Sequence, residues 1–327
     1  MDDVCCVGDK GAIDDAISKI KGKWNIKDVG KMQEYVGCTV KRDLQKNLVE
    51  LSQFGLIKKM EDNFGNDIKS LKDLATLAAN GQIVICPKDD LELISKEDQT
   101  KYRSGVGMLL YLVKHSRPEI SNAVRELAKV MDGASLAHVK YLLRAIKYVI
   151  DTKDHVLAMK PHLSEFGVWN LVAFSDSDYS GDKDTRLSVT GFIVYLNNVP
   201  ISWKSRGQKN ITLSSTEAEY VAMSEVVAEI MFCKQIIEFL DVKVTYPIIV
   251  RVDNVGAIFL SNNASLSQRT KHIDVRYHFV REFVEDGVIK IVFVKSAEND
   301  ADLYTKNLGE VMFAKHASKY VRKSEID

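Results

Sequence analysis

Apolar residues recur along this chain at two different spacings, and the spacing changes twice. Up to about residue 50, Ile13, Ile17 and Ile20 predict a helix, and short apolar runs predict strands over 4–7, 34–40 and 48–52. From 53 to about 160, apolar positions three to four residues apart predict helices near 54–64, 104–114, 120–130 and 139–149. The pattern therefore predicts an α+β segment followed by a helical one.

Past Pro161 the pattern changes to short β-branched runs whose connections hold Gly, Asn and Asp. These runs predict a meander of strands over 171–175, 189–196 and 200–204. A long helix is predicted from Ser214 to about Leu240, opened by a Ser-Ser-Thr-Glu capping box that ends at Glu217. Strand, helix, strand and helix are predicted next, over 247–252, 274–286, 288–294 and 300–308. This order predicts an α/β fold with a mixed five-stranded sheet and flanking helices.

Composition excludes several classes of protein. The 327 residues are 46% hydrophobic and 28% charged, which is typical of globular chains and unlike disordered or collagen-like ones. Forty-five basic residues cancel forty-five acidic ones, so any contact with a polyanion depends on local patches. The five cysteines lack CxxC spacing, which argues against a disulfide framework and a zinc site. With no long apolar run and no basic N-terminal region, we expect an intracellular protein without a membrane partner.

Four carboxylates fall in suggestive places, and those of Asp176 and Asp253 meet if the first and fourth strands of the sheet are neighbours. Asp176 ends the first strand of the C-terminal region and Asp253 the fourth, and open α/β sheets collect ligands at such strand ends. Glu219 shares a helix face with Met223 and Val226, so it points towards the sheet. Clustered carboxylates repel one another unless a divalent cation neutralises them. Such an all-oxygen set favours Mg²⁺ or Mn²⁺ over zinc, and paired ions of this type serve phosphoryl transfer.

Each acidic residue also has a purely structural interpretation. An Asp after a strand is a common turn former, and a Glu in the first helical turn complements the helix dipole. Asp302 can simply cap a helix.

Seven short phrases follow one another through the C-terminal half. They are Phe-Ser-Asp-Ser-Asp-Tyr-Ser-Gly-Asp, Gly-Phe-Ile-Val-Tyr, Ile-Ser-Trp-Lys-Ser, Leu-Ser-Ser-Thr-Glu-Ala-Glu-Tyr-Val-Ala, Val-Asp-Asn, Arg-Thr-Lys-His-Ile-Asp-Val-Arg-Tyr-His-Phe-Val-Arg-Glu and Ala-Asp-Leu-Tyr-Thr-Lys. In this order they resemble the ribonuclease H domain of copia-type retrotransposon polyproteins. The phrases Leu-Ser-Gln, Val-Gly-Met-Leu-Leu-Tyr-Leu and Arg-Pro-Glu-Ile-Ser-Asn-Ala-Val resemble the segment that links polymerase to nuclease in that family.

The N-terminus carries the same resemblance. Met1-Asp2-Asp3 looks like the end of the polymerase motif Tyr-x-Asp-Asp, which implies that Asp2 and Asp3 are vestigial polymerase ligands. Four segments are then implied, listed here by residue range: 1–50 as a truncated reverse transcriptase palm remnant, 51–162 as a helical thumb/connection region, 163–312 as a ribonuclease H-like domain, and 313–327 as a C-terminal tail. About 145 residues of the nuclease segment are expected to fold independently.

The resemblance also implies a reaction and a set of site residues. The reaction is hydrolysis of the RNA strand of an RNA–DNA hybrid by two Mg²⁺ ions, or Mn²⁺ in their place, without polymerase activity from this chain. The implied catalytic and metal-binding acids are Asp176, Glu219, Asp253 and Asp302, with Asp178 and Asp300 as alternatives. The loop over 295–300 lacks the histidine that cellular ribonucleases H often have, so the leaving-group proton stays unassigned.

Substrate contacts are expected around the acids. Polar groups suited to the 2′-hydroxyl and basic groups suited to phosphate are Ser177, Ser214, Ser215, Asn254, Arg269 and Lys271. The expected partners are the hybrid and the rest of a polyprotein, in a cytoplasmic virus-like particle or in the nucleus. Two alternatives stay open, namely an inactive fragment that at most binds duplexes, and a polymerase completed by a second chain.

Overall fold

The N-terminal segment forms a short helix and three strands. The computed structural model describes residues 4–72, 84, 92–162, 167–262 and 271–326. The first elements are α1 (Lys10–Lys21), β1 (Glu34–Tyr35), β2 (Cys38–Asp43) and β3 (Leu48–Ser52). The strand predicted over 4–7 is wrong. Val4 and Val7 are 70% and 92% exposed, and no described strand lies beside them to satisfy their backbone groups.

The predicted helical region is confirmed. Its helices are α2 (Phe54–Ile68), α3 (Lys96–His115), α4 (Ser121–Ala128) and α5 (Leu136–Asp151). The helix predicted from 104 begins earlier, because the Ser95 hydroxyl accepts a hydrogen bond from the Asp98 N–H at 3.1 Å and so caps the first turn.

The rest of the chain, from residue 155 onward, supplies the remaining elements. They are β4 (His155–Met159), β5 (Leu171–Asp178), β6 (Val189–Leu196), β7 (Val199–Gly207), α6 (Ser215–Phe239), β8 (Ile248–Val252), α7 (Val255–Asn262), α8 (Lys271–Glu285), β9 (Ile289–Phe293), α9 (Glu310–Ala317) and β10 (Val321–Lys323). Two short 3-10 helices, Ser296–Glu298 and Asp300–Tyr304, follow β9. The second of them replaces the longer closing helix predicted over 300–308. The elements β4, α7, α9 and β10 were not predicted from the sequence.

Five of these strands, β5 to β9, form the mixed five-stranded sheet that the sequence predicts. Its order is β7-β6-β5-β8-β9, with an antiparallel meander over β5, β6 and β7 and parallel pairing of β5 with β8 and β8 with β9. Helix α6 packs on one face, where Tyr220 and Met223 meet Ala173 and Val250 in a buried cluster. The predicted α/β class is therefore confirmed.

A second five-stranded sheet joins distant parts of the chain. Its order is β1-β2-β3-β4-β10, so the chain ends in the sheet formed by its N-terminal strands. The carboxylate of buried Glu50 accepts hydrogen bonds from the Ser324 hydroxyl at 2.6 Å and the Glu325 N–H at 2.7 Å. Much of the segment expected to be a C-terminal tail is therefore built into α9 and β10.

The helical region and the mixed sheet share one hydrophobic core. Leu109 and Ile146 of the helices lie in the same buried cluster as Ile193 and Tyr195 of β6. Polar contacts cross the same junction, since the Trp203 indole N–H donates to the Val113 carbonyl at 2.8 Å. Isolation of the nuclease segment would therefore expose this face of β6, and its independent folding stays a prediction. In the described ranges, each helix is too short or too polar to cross a bilayer.

Candidate functional site

Two parallel strands bring the first two acids together. Phe174 of β5 stands in register with Arg251 of β8, and Asp176 and Asp253 lie two residues further along each strand. Both carboxylates therefore reach the same carboxyl-terminal edge of the sheet, at the place where antiparallel pairing gives way to parallel pairing.

The start of α6 positions the third acid. The Ser214 hydroxyl accepts a hydrogen bond from the Glu217 N–H at 3.1 Å, and the Glu217 carboxylate accepts one from the Leu213 N–H at 2.8 Å. This cap fixes the first turn, so Glu219 reaches the end of β5. There the Ser177 N–H donates to Glu219 Oε1 at 3.1 Å.

The three carboxylates form one compact group. One oxygen from each of Asp176, Glu219 and Asp253 lies within 4.8 Å of the others. Asp176 and Glu219 are 1% and 6% exposed, while Asp253 is partly open to solvent. The Thr305 hydroxyl donates to Asp176, and the Ser296 hydroxyl donates to Asp253. Glu219 Oε2 is buried and has no hydrogen-bond partner among the described residues.

Crowding and burial set the electrostatics of this group. Burial, reinforced by the charges of Asp176 and Asp253, raises the pKa of Glu219 to about 9. Burial likewise raises the pKa of Asp176, against the pull of the Lys306 ammonium. Without a cation at least one carboxyl therefore holds a proton at neutral pH. A divalent cation fits this group of acids, because the three carboxylates offer one oxygen ligand each. The buried Glu219 Oε2 also has no hydrogen-bond partner among the described residues.

Asp302 lies beside the group rather than inside it. It belongs to the 3-10 helix after β9 and is linked to Asp176 through Lys306, whose ammonium lies 2.9 Å from Asp302 Oδ1 and 3.2 Å from Asp176 Oδ2. Burial and the charge of Asp176 raise the pKa of Asp302 to about 6, although Lys306 acts in the opposite direction. The 4.8 Å group does not include the Asp302 carboxylate.

Two residues hold this 3-10 helix against the sheet. The buried Asn299 amide donates to the Ser175 carbonyl at 3.0 Å, next to Asp176. Gly191, which faces Asp176 across β5 and β6, leaves room for the close approach. A Cβ at Gly191 would lie 2.5 Å from Thr305 Cγ2.

The two alternative acids lie in different surroundings. Asp178 is on the same face of β5 as Asp176, and burial raises its pKa. Asp300 is tied into the interior, where it accepts hydrogen bonds from Tyr195 at 3.0 Å, from His316 at 2.8 Å and from Lys319. Burial opposes ionisation there, yet the His316 and Lys319 contacts hold the pKa of Asp300 below its usual value. Asp300 is thus committed to packing, whereas Asp302 faces the acids.

The expected substrate-binding residues fall into two sets. Ser214 and Ser215 are exposed at the start of α6, and Asn254 caps α7 by accepting the Ala257 N–H at 2.9 Å. The Ser177 hydroxyl is buried and has no partner among the described residues. Outside the described parts are Asp2, Asp3, Arg269 and the side chain of Lys271, whose backbone begins α8.

Sequence reasoning missed the groups that hold the acids in place. Ser296 contacts Asp253, and Asn299 contacts β5. Thr305 contacts Asp176, and Lys306 contacts Asp302. Thr305 and Lys306 stand in the phrase Ala-Asp-Leu-Tyr-Thr-Lys, so the resemblance contained a signal for them. Nothing in the local pattern distinguishes Ser296 or Asn299 from ordinary loop residues.

The chain is similar to known retrotransposon proteins. No model of a known protein family matches it. It is 32% identical over 323 residues to the retrovirus-related Pol polyprotein from transposon RE1 of Arabidopsis thaliana, covering 98% of this chain and 21% of that protein. It is 32% identical over 312 residues to the corresponding polyprotein from transposon TNT 1-94 of Nicotiana tabacum, covering 94% of this chain and 23% of that protein.

Among solved structures, an LC11 ribonuclease H1 isolated from compost aligns with 42% of this chain and 92% of its own, at 12% identity and a TM-score of 0.33. The chain spans about a fifth of the length of the polyproteins it matches. The matches to those polyproteins extend over almost all of its residues, through the strands, the helices and the acidic group alike. The chain therefore belongs to the family of copia-type retrotransposon Pol polyproteins.

Proposed function

We propose that this part of the polyprotein is a metal-dependent endonuclease of the ribonuclease H type, which hydrolyses the RNA strand of RNA–DNA hybrids. The observation that carries the proposal is the convergence of Asp176, Glu219 and Asp253 from β5, α6 and β8 to within 4.8 Å. Three buried or half-buried acids at one point are unfavourable for stability alone, because they repel one another. Such an arrangement is understandable if a cation completes it.

The site residues have two roles: some would bind the cation, and others orient the carboxylates that bind it. Asp176, Glu219 and Asp253 would hold the cation, with Asp302 beside them at a second position. Bound Mg²⁺ or Mn²⁺, as two ions, would lower the pKa of the attacking water and stabilise the charge that develops on the leaving 3′ oxygen. Thr305 and Ser296 keep the Asp176 and Asp253 carboxylates oriented by donating hydrogen bonds to them.

The surroundings of the acids favour a phosphodiester substrate. The N-termini of α6 and α7 meet close to the acids, since a Cβ at Gly256 would lie only 2.9 Å from Thr216 Oγ1. Helix N-termini attract phosphate groups because their free N–H groups and dipole are positive. Exposed Ser214 and Ser215 stand at the same place and are suited to the 2′-hydroxyl that distinguishes RNA from DNA. We also assign phosphate contacts to Arg269 and Lys271, on the resemblance alone.

The rest of the chain is given a supporting role. We assign residues 1–50 to a palm remnant, 51–162 to a thumb/connection region and 163–312 to the ribonuclease H-like domain, with 313–327 after it. The other parts of the polyprotein are the proposed protein partner.

The proposal is tested with the full chain and a labelled RNA–DNA hybrid. We expect the RNA strand to be cut in Mg²⁺, duplex DNA to stay intact, and Asp253→Asn to abolish cutting, because the change keeps the shape but removes the charge that holds the ion. The exposed Asp286, which follows α8, provides a matched control as Asp286→Asn and should leave the rate unchanged. A folded wild-type chain that cuts no hybrid in either Mg²⁺ or Mn²⁺ would instead support an inactive duplex-binding fragment.

A further inference from the structure

Lys306 occupies the gap between two carboxylates of the acidic site. Its ammonium lies 2.9 Å from Asp302 Oδ1, and 3.3 and 3.2 Å from Asp176 Oδ1 and Oδ2. A single cationic group thus bridges two acids that belong to different elements, as a metal ion bridges its ligands. Asp176 is shared, because its carboxylate also belongs to the compact group with Glu219 and Asp253.

We propose that Lys306 is a built-in counter-cation, which neutralises Asp176 and Asp302 in the metal-free chain and must be displaced before a divalent cation can bind between them. The inference rests on the proposed function, since it concerns the same acidic site. It divides the site into two unequal halves. Lys306 contacts Asp302, so its ammonium competes with a metal ion for the half of the site that contains Asp302. The half formed by Glu219 and Asp253 has no such contact with Lys306 among the described hydrogen bonds and ion pairs.

The side chain is suited to such a change of place. Lys306 is 37% exposed, so solvent lies close to the ammonium, and its four-carbon stem can swing the charge outward. Asp302 is four residues before Lys306, which is the sequence spacing of an ordinary surface ion pair on a helix. Displacement costs the contacts with both carboxylates, so Lys306 lowers the affinity of the Asp302 half for metal.

The role differs from that of a purely structural ion pair. If Lys306 only held the 3-10 helix in place, its removal would weaken metal binding by disordering Asp302. If it competes with metal, its removal strengthens metal binding while it destabilises the metal-free chain. The two possibilities therefore predict opposite signs for the same measurement.

The experiment titrates Mn²⁺ into the full chain by isothermal calorimetry, without nucleic acid. Lys306→Met removes the charge at nearly constant length and is expected to bind Mn²⁺ about tenfold more tightly, while Lys306→Arg keeps the charge and stays near the wild-type affinity. Lys234→Met is the matched control, because Lys234 forms a comparable pair with Glu238 at 2.8 Å, one turn along α6. It should leave the affinity unchanged.

Thermal unfolding supplies a second readout. Lys306→Met should melt below the wild type in EDTA, and saturating Mn²⁺ should raise its melting temperature by more than it raises that of the wild type. Unchanged or weaker Mn²⁺ binding by Lys306→Met overturns the inference. Tighter binding without hybrid cleavage by the wild type leaves the inference standing and refutes the proposed nuclease. Failure of both proteins to bind Mn²⁺ refutes both.

Discussion

The close approach at Gly191 yields the most demanding prediction. A methyl group placed there would lie 2.5 Å from Thr305 Cγ2, 2.9 Å from Tyr304 Cβ and 3.0 Å from the Tyr304 carbonyl carbon. Tyr304 is fully buried and part of the contact is backbone, so no side-chain rotation relieves it. The Asp300–Tyr304 helix must move away from β6 by about 1 Å, and overpacking of this kind costs about 1–3 kcal/mol.

That movement separates groups which the site needs together. Thr305 donates to Asp176, and Asp302 reaches Asp176 through Lys306, so the shift pulls both away from the acids. A displacement of about 1 Å at a catalytic centre lowers the rate by roughly a hundredfold. Gly191→Ala should therefore melt several degrees below the wild type and cleave hybrid at about one hundredth of its rate.

The assay compares melting temperature and the rate of hybrid cleavage with those of a matched variant. Gly207→Ala places a methyl group on the neighbouring strand β7, where nothing lies within 4 Å, and should be nearly silent. If Gly191→Ala cleaves the hybrid at the wild-type rate, the Asp300–Tyr304 helix is not part of the active site.

Three further predictions follow from the same contacts. In EDTA the free energy of unfolding should fall as pH rises from about 5 to 9, because folded Glu219, with a pKa of about 9, keeps a proton that the unfolded chain loses near 4.5; urea unfolding with and without Mg²⁺ should show this slope only without metal. Asn299→Ala should cost about 1 kcal/mol by removing its hydrogen bond to the Ser175 carbonyl, whereas a melting curve like that of the wild type would refute its anchoring role. The isolated segment 163–312 should melt below the full chain because it exposes Tyr195, and equal melting would contradict the shared core.

Much of the fold could be predicted from the sequence, because its signals are local. Strands β5 and β6 and helix α6 follow from period-two runs, turn residues and the Ser214 cap. The resemblance named Asp176, Glu219 and Asp253, and the parallel pairing of β5 with β8 in the structure explains why they meet.

Other features depend on contacts between distant residues. Nothing near residues 321–323 indicates that they pair with β4, more than 150 residues earlier in the chain. The sequence predicts a helix over 300–308, whereas the structure has the shorter 3-10 helix Asp300–Tyr304. Packing against Gly191, rather than the periodicity of these residues, shapes this helix. Lys306 looks like an ordinary charged residue until the structure places it between two acids.

If the three acids form a cation-dependent nuclease site, cleavage of one strand of a hybrid depends on both the acids and the cation. A hybrid labelled on both strands is incubated with the wild type and with Glu219→Gln, in Mg²⁺ and in EDTA. We expect only the RNA strand to be cleaved, and only by the wild type in Mg²⁺. The products should end in 3′-hydroxyl groups. Equal cleavage by a folded Glu219→Gln variant, or cleavage that persists in EDTA, would contradict the proposed cation-dependent site.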